Sequence, residues 1–372
     1  DPLDVPYCDD LAQENIEWIG EDIAERFTSA AVDCSKLNDS SAKKDLSIVY
    51  TPLFGSGRDF VLDALEKDGF SQVHLVKKQA GFDGKFPGLR KPNPEEPEVF
   101  RIAEREALQE HADLMIATDP DSDRIGAGVI CDSKAFFFTG NQIGALLADF
   151  LSRQGSVKGK IMVTTVVTGD LGSRIVTSRG ATVIHTLTGS KFVCEEMNHM
   201  EAGEFLLGYE ESHGYIGGMH IRDKDGVLAA MLLCETAAWH KTQGKTLLDA
   251  LEDLYQEYGY YIDEQDSFVF EGAKGAKEMQ KIMARLRSRR GSVFAPLGKP
   301  DKILDYEKGV DELPRSNVLK FFFPNGSWVA VRPSGTEPKI KFYYCIRGKD
   351  QRQAQDLYEA VQTSVEEFLR TF

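Results

Sequence analysis

Three aspartates, Asp119, Asp121 and Asp123, stand at alternate positions in "LMIATDPDSDRIG" (114–126), and Arg124 follows at once. In an extended chain, residues i, i+2 and i+4 face the same way, so six carboxylate oxygens could aim at one point. A hard divalent cation would relieve their mutual repulsion, and Mg²⁺ is held by a few carboxylates together with phosphate. The plainer alternative is a solvated acidic turn, which leaves both the spacing and the adjacent arginine unexplained.

Two rival acidic motifs fail on position. An EF-hand counted from Asp119 needs Gly at its sixth place and Glu at its twelfth, where Arg124 and Ile130 stand. The D-x-D-x-[TV] pattern of haloacid-dehalogenase-type phosphatases breaks at Asp123. The aspartates follow an apolar run that reads as a strand, which places them at the carboxyl edge of a sheet, where open α/β sheets bind ligands.

A second candidate is "VAVRPSGTEPKIKFYY" (329–344). Pro333, Gly335 and Pro338 force a turn between two strand-like stretches. Successive amides in such a turn form an anion nest. Ser334 and Thr336 add hydroxyls, and the planar fork of Arg332 suits phosphate. An ordinary hairpin loop is the alternative. The third candidate is "LLGYEESHGYIGG" (206–218), where Glu210 and Ser212 are good partners for sugar hydroxyls. His213 could be an acid/base group there, or the whole stretch a polar loop. In "IRDKDG" (221–226), Lys224 lies between two aspartates and reads as salt-bridged surface just before a capped helix. In "TLTGSK" (186–191), Lys191 either reaches a ligand or only opens a helix. "TPLFGSGRDF" (51–60) lacks the third glycine of a dinucleotide loop, and no G-x-x-x-x-G-K-[ST] occurs, which argues against nucleotide binding.

The elements that must hold these loops read as follows. Residues 15–27 have helical spacing, and "DCSKLNDSSAKKD" (33–45) reads as a polar linker. Strands at 46–50, 72–76, 114–117 and 126–130 alternate with helices at 59–70 and 99–111. A second unit has strands at 161–166, 181–186 and 204–211, a helix between the first two, and a long helix at 225–241. The charged stretch 262–300 ends in "GSVFAPLGKPDK", which reads as a boundary. Strands at 317–322, 327–332 and 339–346 and a helix at 350–370 close the chain. The fold class is therefore α/β: two consecutive three-layer α/β/α domains, then a smaller α+β C-terminal domain.

A net charge of −15 argues against a nucleic-acid partner. No apolar run reaches the roughly 18 residues of a membrane span, so no membrane partner is expected. Six scattered cysteines without a C-x-x-C pair suit a reducing cytosol, hence a cytoplasmic protein. The chain begins with Asp1 and shows no signal peptide, so it is expected to be a fragment.

Taken in order, the three loops resemble those of the α-D-phosphohexomutase superfamily, in particular its bacterial phosphoglucomutase/phosphomannomutase members. "TDPDSDR" resembles the family's metal loop, "GYEES" its sugar loop and "RPSGTEP" its phosphate loop; "TPLFG", "TGSK" and "RDKDG" resemble further landmarks. The resemblance implies Asp119, Asp121 and Asp123 as Mg²⁺ ligands. It implies Glu210 and Ser212 on sugar hydroxyls, with Arg124, Lys191 and Lys224 also contacting substrate. It implies Arg332, Ser334, Gly335 and Thr336 on phosphate. It further implies that residues 1–143, 144–262 and 263–372 are the family's domains two, three and four.

The family's first domain carries a serine in a loop resembling T-A-S-H-N-P, and no such segment occurs in these 372 residues. The implied partner is that missing N-terminal domain. The implied activity is interconversion of hexose 1- and 6-phosphates, glucose before mannose, through a phosphoserine and a glucose 1,6-bisphosphate intermediate. The chain alone is expected to be inactive. Two other functions compete: a metal-dependent sugar-phosphate phosphatase, and a non-catalytic phosphosugar-binding protein.

Overall fold

The computed structural model describes residues 19–201, 203–334 and 338–372. Its first sheet contains β1 (Ser47–Thr51), β2 (Gln72–Leu75), β3 (Leu114–Thr118), β4 (Ile125–Cys131) and β5 (Lys134–Phe137), in the order β2-β1-β3-β4-β5. β1 pairs in parallel with β2 and β3, while β4 and β5 return antiparallel. The central strands "SIVYT" and "LMIAT" are buried almost throughout, as near-continuous apolar runs covered on both faces should be.

The second sheet holds β6 (Ile161–Thr165), β7 (Thr182–Thr186), β8 (Phe205–Tyr209) and β9 (Tyr215–Ile216), ordered β7-β6-β8-β9. The third is wholly antiparallel. From one edge to the other it runs β10 (Tyr260–Val269), β14 (Lys339–Gly348), β13 (Trp328–Pro333), β12 (Leu319–Phe322) and β11 (Lys302–Asp305). Helices Gly272–Arg289 and Gln351–Leu369 complete this last unit. The α/β/α, α/β/α and α+β classes expected above are those observed.

The helix Gly226–Lys241 binds the first two units into one body. It is apolar on every side, and such a helix must be covered all round. By sequence it belongs with the second sheet, yet it packs on helices Gly57–Asp68 and Ser40–Asp45 of the first unit. Asp225 starts it by accepting the amides of Val227 and Leu228.

Two expectations need correction. Residues 33–45 are not a plain linker: Asp39 caps a short helix, Ser40–Asp45, and Lys43 is buried. Its ammonium lies 2.6 Å from Asp68 and 2.8 Å from Glu235, a fully buried carboxylate on the long helix. Glu235 also accepts from Ser35 Oγ and from the amides of Lys36 and Leu37. A buried carboxylate must be paired and hydrogen-bonded, and this segment supplies the partners. Nor is "GSVFAPLGKPDK" a boundary. Val293, Phe294 and Leu297 are buried in the core of the third unit, so a turn rich in Gly and Pro lies inside a folded body.

Candidate functional site

The aspartates do not converge as an extended strand. The chain turns after β3: Ser122 adopts a left-handed φ of 57°, and its amide donates to the Asp119 carbonyl at 3.0 Å. The turn brings one oxygen from each of Asp119, Asp121 and Asp123 within 4.8 Å of the others. Asp119 is the buried member, and its Oδ1 accepts the Arg124 amide at 2.9 Å. Burial, with repulsion from Asp123 and Asp121, pushes its carboxyl up to about 7. Three hard oxygen donors held against their own repulsion fit a divalent cation. The buried Ser122 Oγ within the same turn has no hydrogen-bond partner among the described residues.

Three glycines let neighbouring chains press against this turn. A Cβ on Gly55 would lie 2.3 Å from the Pro120 Cα, one on Gly57 would lie 2.2 Å from Ser122 Oγ, and one on Gly226 would lie 2.5 Å from the Ser122 carbonyl. This is the physical content of "TPLFGSG" and "RDKDG": both are supports, and backbone hydrogen bonds from Ser56 to Pro120 and from Gly226 to Ser122 fasten them.

The sugar-type loop joins β8 to β9 and is tied directly to the aspartate turn. The Ile125 amide donates to the His213 carbonyl at 3.1 Å, and His213 Nδ1 donates to the Ile125 carbonyl at 2.9 Å. His213 is buried, and burial holds its ring below the usual histidine range. It is a neutral brace, not an exposed acid/base group. Glu210 Oε1 accepts the Gly189 amide at 2.7 Å, which fixes the "TLTGSK" loop beside it. Glu211 turns inward to the hydroxyls of Thr168 and Thr165, and burial followed by the charge of Glu210 raises it to about 7.

One cleft of about 760 Å³ collects residues from all three units. Arg124 lines it from the aspartate turn, and Gly189, Glu210 and Ser212 from the second unit. Lys224 lines it from the loop before the long helix, and Arg332 from β13. Arg124 donates to Glu95 at 2.8 Å, and its Nε stands 3.5 Å from Asp123. The Lys224 ammonium pairs with Asp123. Arg332 lies opposite Lys341 across the β13–β14 hairpin, and the Ser334 amide donates to the Lys339 carbonyl at 2.8 Å. Lys191 does not line the cleft; its ammonium sits 4.8 Å from the Phe192 ring centre. Gly335 and Thr336 lie outside the described residues.

Several lining residues escaped the sequence reading. Lys339, Lys341 and Tyr343 alternate along β14, and Gln265, Ser267 and Val269 alternate along β10, each set on one face. The period of two was there to be read in β14, where buried Ile340 and Phe342 alternate with Lys339, Lys341 and Tyr343. Lys91, Asn93 and Glu95 arrive from a proline-rich loop with no such period.

The fold agrees with the comparisons. Family profiles described as phosphoglucomutase/phosphomannomutase alpha/beta/alpha domain II, alpha/beta/alpha domain III and C-terminal domain match residues 25–131, 139–258 and 269–363. A phosphoglucomutase of Staphylococcus haemolyticus is 35% identical over 368 residues, covering 95% of this chain and 67% of that protein. One of Staphylococcus aureus is 36% identical over 320 residues, covering 82% of this chain and 57% of that protein. The chain thus spans roughly two thirds or less of the length of these relatives. Among solved structures, the open form of the Paramecium phosphoglucomutase parafusin superposes with a TM-score of 0.69 at 21% identity, covering 92% of this chain and 61% of that one. A phosphoglucomutase/phosphomannomutase family protein of Burkholderia thailandensis gives 0.65 at 17%, covering 93% and 64%. The chain belongs to the phosphoglucomutase/phosphomannomutase family of the α-D-phosphohexomutase superfamily.

Proposed function

We propose that the protein of which this chain is part interconverts hexose 1-phosphate and hexose 6-phosphate, with glucose preferred over mannose. The observation that carries this reading is the cleft itself, where sugar-type and cationic groups from three units face one volume, and the Arg124 and Lys224 that line it are paired with Asp123 of the acidic turn. Asp119, Asp121 and Asp123 hold Mg²⁺ in this reading, and when bound it offsets charge on the phosphoryl group in transfer. Glu210 and Ser212 bind sugar hydroxyls, Glu210 being oriented by the Gly189 amide. Arg332, with Ser334, Gly335 and Thr336 of the same turn, takes the phosphate that is not in transfer, and the Lys341 ammonium on the facing strand adds charge. Arg124 and Lys224 serve the opposite end.

In this reading a glucose 1,6-bisphosphate intermediate meets cationic side chains at each of its phosphates in either direction. The phosphoryl donor in this reading is a serine of the intact protein, as the resemblance of the three loops implies. The relatives named phosphoglucomutase support this reading, and a cytoplasmic location accords with it. Among the described residues no helix is long and apolar enough to cross a membrane.

The test is a coupled assay on the intact protein with glucose 1-phosphate, glucose 1,6-bisphosphate and Mg²⁺, run beside an assay for free phosphate. Mutase turnover without phosphate release is expected. Stoichiometric phosphate release would turn the reading to a phosphatase, and binding without turnover to a phosphosugar-binding protein.

A further inference from the structure

Away from the cleft, a cysteine, a histidine and an aspartate stand in line. Cys34 follows the helix Glu21–Val32, while His220 and Asp225 belong to the loop between β9 and the long helix. Cys34 Sγ lies 4.0 Å from His220 Nδ1, and His220 Nε2 lies 3.0 Å from Asp225 Oδ2. Sulfur and carboxylate use opposite ring nitrogens, so the three do not form a chelate for one metal ion; they form a relay. Asp225 is itself fixed, because its other oxygen caps the long helix.

Room for the pair comes from Gly218. A Cβ there would fall 2.7 Å from the sulfur and 2.9 Å from Nδ1. The sulfur is half-buried and opens on a cavity of about 380 Å³ whose charged lining residues are Lys36 and Lys160, with no acidic side chain.

We propose that Cys34 is a modification site for small anionic disulfides, activated by His220 and Asp225 and served by this cavity. A cationic imidazole 4.0 Å from the sulfur offsets the negative charge that the sulfur carries as it attacks a disulfide. The Asp225 hydrogen bond, reinforced by Cys34, raises His220 to about 9, which keeps the ring cationic. In the exchange, Cys34 sulfur attacks one sulfur of the disulfide. The disulfide's own bond breaks as the mixed one forms, and the departing half leaves as a thiolate that gains the proton Cys34 lost. Cys34 is oxidised and the departing half reduced, with no other reactant needed. Lys36 and Lys160 attract carboxylates on the reagent.

Exposed Cys131 provides an internal reference, since among the described residues Cys194, Cys234 and Cys345 are buried. The chain is incubated with glutathione disulfide, and adducts are located by peptide mass mapping over time. Cys34 is expected to react about tenfold faster than Cys131, and His220→Gln to remove that advantage while leaving the Cys131 rate unchanged. Should that variant fold poorly, which a changed Cys131 rate would reveal, the double variant Lys36→Gln/Lys160→Gln serves instead. It should slow glutathione disulfide at Cys34 but not the uncharged bis(2-hydroxyethyl) disulfide. Equal rates at Cys34 and Cys131, or an unchanged Cys34 rate in both variants, would overturn the proposal.

Discussion

His213 and Ile125 hold each other reciprocally: the Ile125 amide donates to the His213 carbonyl, and the His213 ring donates to the Ile125 carbonyl. The aspartate turn ends at Arg124 and the sugar-type loop ends at His213, so this pair sets the distance between the two. His213→Ala leaves a buried carbonyl unpaired. That costs about 1–3 kcal/mol in chemical denaturation and should weaken Mg²⁺ and hexose phosphate together. A variant that loses stability while both affinities stay at the parent's values would show that the brace does not set the site.

Asp121 is the exposed member of the acidic triad. Asp121→Asn should leave the melting temperature unchanged and abolish mutase activity in the intact protein. Calorimetric titration should show Mg²⁺ binding lost or strongly weakened. Near-normal activity would remove Asp121 from the metal site.

Arg332→Ala should weaken glucose 6-phosphate binding. Losing a hydrogen bond to a charged group costs roughly 1.5–3 kcal/mol, equivalent to about 10- to 100-fold in Kd. Arg332→Lys should recover only part of this, because an ammonium cannot form the two parallel bonds of a guanidinium. Titration with glucose 6-phosphate and with glucose tells phosphate recognition from sugar recognition. Equal affinity for the two ligands in the parent would leave the β13–β14 turn an ordinary hairpin.

The half-buried carboxyls of Glu211 and Asp263 predict a pH dependence. Burial is the largest cause in both, and each is raised to about 7. Both line a cavity of about 300 Å³ between the units. A folded-state value above the unfolded one means that the folded protein binds the proton more tightly. This stabilisation is full below about pH 4 and is lost as pH rises through 7. For Glu211, from 4.5 to about 7, the span is on the order of 3 kcal/mol as an upper figure. Denaturation midpoints from pH 5 to 8 should fall more steeply for the parent than for Glu211→Gln/Asp263→Asn. Parallel curves would refute the proton-bound state.

Glu235→Ala should be among the most damaging single changes, because it strips a buried ammonium, a hydroxyl and two amides of one acceptor. Breaking a buried pair costs about 3–5 kcal/mol, read as a shift of the denaturant midpoint. A loss under 1 kcal/mol would mean that water replaces the carboxylate freely.

Much of this site was legible in the sequence because its chemistry is local. Asp119, Asp121 and Asp123 sit within five residues, and Arg332 at the end of β13 stands two residues from Ser334, so charge and turn residues made them candidates. The path by which the aspartates meet was not legible: extended spacing suggested a flat strand, whereas the left-handed Ser122 folds the turn back. Lys191, which the motif suggested as a substrate contact, stands beside the cleft with its ammonium 4.8 Å from the Phe192 ring centre. β10 was hidden because its alternation runs polar toward the cleft, at Asp263, Gln265 and Ser267, and only Ile262 and Phe268 mark its core side. Glu235 and Lys43 could not be matched from sequence, being partners across nearly the whole of two units.

The placement of the helix Gly226–Lys241 has a consequence for how such a chain can be inherited or divided. The sequence divides into modules, but the space does not, because the second module's longest apolar helix is the lid on the first module's core. A cut near residue 143 would leave the first piece with a bare hydrophobic face and the second with an unclothed helix. Both pieces would aggregate or seek each other. Exchange of parts between relatives is therefore constrained to keep these two units together as one heritable block, whereas the antiparallel unit from Tyr260 onward carries a core of its own on one face of its sheet and joins the larger core only through the other, at Tyr261, Trp328, Ala330, Tyr343 and Cys345.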